Sequence, residues 1–159
     1  MKFSVLLDTS FFIRLLNAAD PLHSNAKEYY KYLLDHEIRL KVSTISIAEF
    51  CVRDEMENLP LEVLQIIPFN IDHARVAGQF TNAILEQRNT AQLIIRPRAI
   101  IPNDAKLFAQ AHTDKTILYF LTSDTESAKT IALLNKTMDV HFTYIDINTA
   151  VNETFGLLF

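Results

Sequence analysis

The chain has 159 residues, 49% of them hydrophobic and 21% charged, with a formal net charge of -4. That composition suits one globular unit with a core and excludes a disordered or fibrous protein. Two glycines, Gly78 and Gly156, cannot build a glycine-rich phosphate loop or a dinucleotide turn, and the single cysteine, Cys51, excludes an internal disulfide and a multi-cysteine zinc site. The acidic balance argues against binding nucleic acid by bulk attraction, but not against handling it at a local metal-holding cluster of carboxylates.

The N-terminal run resembles a secretory signal only superficially. Asp8 and Arg14 interrupt it and no small-residue cleavage pattern follows. No apolar stretch reaches the roughly 18–20 residues of a membrane span. The expectation is a cytoplasmic protein with no membrane contact.

In chain order, Lys2 to Leu7 reads as a short buried strand ended by Asp8-Thr9-Ser10. An apolar helix over 11–16 follows, broken at Asp20-Pro21. Residues 23–36 form a second helix, with Ala26, Tyr29, Tyr30, Leu33 and Leu34 at helical spacing. Leu40 to Thr44 is a second strand leading into a helix near Ser46, and Leu64 to Phe69 is a third. A long helix runs from Asp72 to about Gln87, capped by Asn70 or Asp72. Residues 88–102 lack periodicity and read as a loop, with room for a short strand at Leu93-Ile94-Ile95. A helix over 103–112, a strand over 116–121, a helix over 123–136 and a strand over 140–145 complete the series. Alternating helices and short, uninterrupted apolar strands predict an α/β, three-layer αβα fold. Its central sheet would be mostly parallel, with four to five strands. Residues 1–146 are expected to form one domain, and 147–159 a tail that docks on it or on a partner.

Ligands of such sheets sit at the carboxyl ends of the strands, and that is where the acids fall. Asp8 follows the first strand, Glu49 sits in the helix after the second, Asp104 opens the helix before the fourth, and Asp124 follows the fourth. Each has a plainer role available. Ser46-x-x-Glu49 and Ser123-x-x-Glu126 are capping-box patterns, Asp124 suits a first helical turn, Asn103 can cap the helix at Asp104, and Asp8 can cap the helix after it. Four carboxylates meeting in one crevice would repel one another and call for a cation. Hard oxygen ligands of this kind suit Mg²⁺ or Mn²⁺.

The order of these segments is similar to that of a known family. Leu6-Leu7-Asp8-Thr9-Ser10-Phe11-Phe12-Ile13 resembles the opening motif of PIN-domain ribonucleases. Ser43-Thr44-Ile45-Ser46-Ile47-Ala48-Glu49-Phe50 resembles their second motif, the Asn103-Asp104 helix their third, and Phe120-Leu121-Thr122-Ser123-Asp124 their fourth. The likeness covers Lys2 to about Ile145, and its spacing matches the VapC-type toxins of bacterial toxin–antitoxin pairs. Lys106 departs from it, standing where the family has an apolar residue.

The resemblance implies an endoribonuclease that hydrolyses RNA phosphodiester bonds with Mg²⁺ or Mn²⁺. Asp8, Glu49, Asp104 and Asp124 would hold the metal, with Thr122, Ser123 and Glu126 as supporting residues. It also implies an antitoxin partner. Arg96 and Arg98, just before Asp104, are candidates to hold a substrate phosphate, or are simply solvated loop residues. The five histidines show no metal-ligand spacing and read as surface or packing residues. Cys51 reads as a small buried hydrophobe. Tyr29, Tyr30 and Tyr32 are too many on one helix to be all buried, so part of that face, with the apolar tail, is expected to meet a partner or a second copy in a homodimer. Two other readings compete. Aspartyl phosphotransfer folds of the phosphatase type want Asp-x-Asp after the first strand, where this chain has Asp8-Thr9-Ser10. A catalytically inactive scaffold of the same fold is the second, and it would be favoured by a missing acid.

Overall fold

The computed structural model describes residues 2–90 and 102–156. Within them a five-stranded, all-parallel sheet has the order β3-β2-β1-β4-β5. The strands are β1 (Ser4–Leu7), β2 (Arg39–Ser43), β3 (Leu64–Ile67), β4 (Ile117–Thr122) and β5 (Thr143–Asp146). The helices are α1 (Thr9–Leu16), α2 (His23–Asp35), α3 (Thr44–Phe50), α4 (Ile71–Thr90), α5 (Pro102–Thr113), α6 (Thr125–Leu134) and α7 (Val151–Phe155). Two short 3₁₀ turns, Met56–Asn58 and Leu61–Val63, precede β3.

All four residues of β1 are buried, because β1 is central and both its faces are covered. The period-two alternation of a strand sends Val5 and Leu7 into one core and Leu6 into the other. The first core holds Phe11, Phe12, Ala26, Tyr29, Leu33 and Phe50 from α1, α2 and α3. The second holds Phe80 and Ile84 of α4, Phe108 of α5 and Ile131 of α6, packed on Leu6 and Phe120. The chain therefore winds outward from β1 to β3 with helices on one face. It then returns past β1 to β4 and β5 with helices on the other, as connections of a single hand require. The reversal falls between β1 and β4, which makes the space beyond their carboxyl ends the topological switch point.

Several boundaries move for local reasons. Ser43, not Ser46, caps α3, its hydroxyl accepting from the Ile45 N–H at 3.1 Å. The expected Ser46-x-x-Glu49 box does not form, since the strand runs straight into its cap. Glu49 thus lies in the last turn of α3, and Ser46 is buried with no partner for its hydroxyl among the described residues. Asn70 rather than Asp72 receives the His73 N–H, at 3.1 Å, and α4 extends three residues past the expected end. The strand expected over 140–145 starts only at Thr143. Residues 91–101, with the Leu93-Ile94-Ile95 strand and the Arg96 and Arg98 candidates, lie outside the described residues.

The tail adds an unforeseen helix. Phe155 of α7 stacks on Tyr32 of α2 with ring centroids 4.2 Å apart, and meets Tyr29 and Tyr119 edge-on. Tyr29 is fully buried, while Tyr30 and Tyr32 are only partly covered. Cys51 is exposed, contrary to its expected burial, because α3 ends at Phe50 and Cys51 turns outward with the chain. Lys106 is accommodated on α5 by lying over the Phe69 ring, 6.0 Å from its centroid. At the opposite end of the sheet, buried Lys41 of β2 is ion-paired with Asp114 and donates to Thr116 Oγ1 at 3.0 Å.

Candidate metal centre

A cleft of about 240 Å³ opens beyond the carboxyl ends of β1 and β4. It is lined by Asp8, Thr9, Ser10 and Ile13 from β1–α1, Glu49 from α3, Asn103, Asp104 and Leu107 from α5, and Asp124. The fold thus gathers four carboxylates from four separate segments.

Asp8 is the N-cap of α1. Its Oδ1 accepts from the Thr9 N–H at 2.8 Å, and its Oδ2 accepts from the hydroxyls of Ser10 at 2.9 Å and Thr122 at 2.8 Å. Both hydroxyl protons being spent on Asp8, their oxygens are free to accept. Ser10 Oγ takes the Ser123 N–H at 2.9 Å and Thr122 Oγ1 takes the Asp124 N–H at 3.0 Å. Thr122, fully buried at the end of β4, thereby ties Asp8 to the Asp124 turn. Burial raises the Asp8 carboxyl above its ordinary value; the hydrogen bonds from Thr122, Ser10 and Thr9 oppose the rise, and Glu49 adds to it.

Glu49 is reached from two sides. Thr9 donates its hydroxyl to Oε2 at 2.8 Å, and the Asn103 amide donates to Oε1. Asn103 therefore serves as a clamp on Glu49 across the cleft rather than as the helix cap its position suggested. Asp124 is the N-cap of α6, accepting from the Glu126 N–H at 2.9 Å, so the expected Ser123-x-x-Glu126 box is replaced by an aspartate cap one residue later. Ser123 is buried beside it. Glu126 is exposed and ion-paired with Lys129 at 2.8 Å, outside the cleft lining.

Asp104 is where the crowding registers. It lies in the first turn of α5, and burial together with the charges of Asp8, Asp124 and Glu49 pushes its carboxyl from 3.8 up to about 7. Arg88 is a residue that periodicity gave no reason to single out. The Phe80–His112 ring contact, with centroids 5.4 Å apart, sets the register of α4 against α5. Eight residues on along α4 and eight back along α5 bring Arg88 level with Asp104. Its guanidinium is buried, with Nε and Nη1 unpartnered among the described residues, and burial lowers its proton affinity against the opposing pull of Asp104 and Glu126.

Four carboxylates without sulfur or imidazole are the donor chemistry of a hard divalent cation. The high proton affinity of Asp104 marks a site short of positive charge. As they stand, no three His, Cys, Asp or Glu side chains among the described residues are grouped closely enough to hold an ion. Asp8, Glu49 and Asp124 are instead turned to hydrogen-bond donors of the protein.

Comparison with solved structures places the architecture. VapC20 of Mycobacterium tuberculosis, a sarcin–ricin-loop-cleaving toxin, matches with a TM-score of 0.53 at 20% identity, over 79% of this chain and 94% of that one. VapBC2 of Rickettsia felis, bound to a DNA fragment from its promoter, matches at 0.59 and 16% identity, over 91% and 100%. DNA-bound VapBC of Salmonella typhimurium matches at 0.56 and 13% identity, over 91% and 98%. The fold is that of the VapC proteins. No family model and no curated protein matches the chain by sequence. Among the described residues no helix is long and apolar enough to cross a membrane.

Proposed function

We propose that the acidic cleft is the active site of a divalent-metal-dependent endoribonuclease, with Asp8, Glu49, Asp104 and Asp124 as the carboxylates that hold Mg²⁺ or Mn²⁺. The observation that carries this is the gathering of four carboxylates at the switch point, in a cleft that drives Asp104 to about 7. A helix cap alone requires no such crowding. The VapC fold, found in a toxin that cleaves the sarcin–ricin loop, supports the same reading.

A bound metal would lower the pKa of a water and neutralise charge building on the phosphate. The chain's own residues prepare the site. Thr9 and Asn103 hold the two oxygens of Glu49, so its carboxylate is oriented before any cation arrives. Ser10 and Thr122 fix Oδ2 of Asp8 in the same way, and Thr122 also anchors the turn that presents Asp124. Asp104, its carboxyl raised to about 7 by burial and by the neighbouring carboxylates, would give up its proton when positive charge enters.

We further propose that a second protein covers this face, as the VapBC assemblies suggest. Ile13 and Leu16 on α1 are 50% and 43% exposed, and Ile13 lines the cleft itself, so an antitoxin seated there would bury apolar surface and block the site together. The test is cleavage of a pool of structured and single-stranded RNA with Mg²⁺, Mn²⁺ or chelator, by the wild type and Asp124→Asn. Asparagine can still cap α6, so the variant should keep its fold and lose metal-dependent cutting. Cutting that survives in the variant would detach the activity from this cleft. Failure of the wild type to bind metal or cut any RNA would favour the scaffold reading.

A further inference from the structure

A strand of RNA approaching four carboxylates is repelled until metal neutralises them, so something outside the cleft must hold its backbone. Among the described basic residues around the cleft, Lys106 lies over Phe69, Lys129 is paired with Glu126, and Arg88 is buried. Arg14, also ion-paired, differs in where its pairing holds it. It follows Ile13 on α1, and its Nε donates to Ser123 Oγ at 3.4 Å, one residue before Asp124. The guanidinium therefore sits on the cleft rim, its side chain 36% exposed.

It is also held there. Arg14 Nη1 donates to Asp20 Oδ2 at 2.6 Å, while Asp20 Oδ1 accepts from the Leu22 N–H at 2.8 Å and the Asp20 N–H donates to the Asn17 carbonyl at 3.0 Å. Asp20 is thus fixed by the backbone of the α1–α2 turn and aims the planar fork toward Ser123. A guanidinium is the side chain best matched to phosphate oxygens.

We infer that Arg14 binds a phosphate of the RNA strand next to the one at the acidic cleft, with Asp20 as the positioning residue that holds the guanidinium. This rests on the nuclease reading of the cleft. Arg14 grips a phosphate that does not react, so the contact is equally strong in the ground and transition states and belongs to KM.

The experiment is steady-state cleavage of a single-stranded RNA by the full chain across a salt series, comparing the wild type, Arg14→Gln and Arg14→Lys, with melting temperatures alongside. Arg14→Gln should raise KM about tenfold, the scale of one charge-assisted contact. The loss should fall on KM rather than kcat, and the slope of log affinity against log salt should flatten by about 0.7. Arg14→Lys, which keeps charge but not the fork, should lie between and stands as the test if the glutamine variant does not fold. An unchanged KM and salt slope overturns the inference, as does a fall in kcat and melting temperature at constant KM, which would make Arg14 structural. Absence of metal-dependent cleavage in the wild type would instead bring down the nuclease reading, and this inference with it.

Discussion

Replacing Asp104 by asparagine should stabilise the metal-free protein. The carboxyl is displaced from 3.8 to about 7 by burial and by Asp8, Asp124 and Glu49. At 1.36 kcal/mol per tenfold change in proton affinity, its ionised form costs the fold roughly 4 kcal/mol near neutrality. The side chain is only partly buried, and solvent screening brings this to roughly 2–3 kcal/mol. Against it stands a first-turn charge favoured by the helix dipole, worth about 0.3–1 kcal/mol. The net gain, roughly 1–3 kcal/mol, corresponds to a melting temperature higher by about 3–10 °C for a chain of this size. Calorimetry in chelator at pH 7.5 measures it. Because the folded value lies above the unfolded one, the neutral carboxyl's stability is complete below about pH 3.8 and is lost as pH rises through about 7. The advantage of the variant should therefore shrink toward pH 4. A lower melting temperature for Asp104→Asn at pH 7.5 would mean that the carboxylate serves the helix end and that no crowding exists.

Asp8→Asn should move stability the opposite way, by about 1–3 kcal/mol in urea unfolding, because an amide has one accepting oxygen and cannot serve the Thr9 N–H at the Oδ1 position and the Ser10 and Thr122 hydroxyls at the Oδ2 position together. Burial alone would raise the Asp114 carboxyl, but hydrogen bonds from Lys41 and Thr116 bring it below the usual carboxylate range. Its stabilisation is present above about pH 3.8 and lost as pH falls through the lowered folded value. Acid titration of the melting temperature should accordingly show a shallower fall below pH 4 for Asp114→Asn than for the wild type. Phe120→Ala, at a fully buried position against Phe108 and Phe142, should cost about 3–5 kcal/mol and leave metal affinity unchanged in any folded fraction.

The sheet and its helices were legible because parallel strands buried on both faces read as short apolar runs, and Val5-Leu6-Leu7 and Leu40 to Ser43 did so despite Lys41. The acids were legible by position. What the sequence could not supply was the choice between a cap and a site. The structure gives each acid a different local role. Glu49 escapes its capping box because Ser43 starts the helix early, whereas Asp8 and Asp124 cap helices and line the cleft at once. A capping aspartate spends only part of its carboxylate on its own helix, so the caps at Asp8 and Asp124 are compatible with the proposed site. The hold of Asn103 on Glu49 and the place of Arg88 near Asp104 were missed because packing of α5 against α3 and α4 sets them, and no local pattern encodes that packing. The helix at 151–155 was missed because its support is the aromatic face of α2, far away in sequence.

The most direct test of the account is a calorimetric titration of Mn²⁺ into the metal-free protein at pH 7, repeated in buffers of different ionisation enthalpy. A carboxyl raised to about 7 that becomes a ligand must release protons as the ion binds. A metal centre in this cleft predicts saturable binding with that release in the wild type, and weaker binding without it in Asp104→Asn. Absence of saturable binding at millimolar Mn²⁺, or equal binding by the wild type and Asp104→Asn, would contradict a metal centre in this cleft.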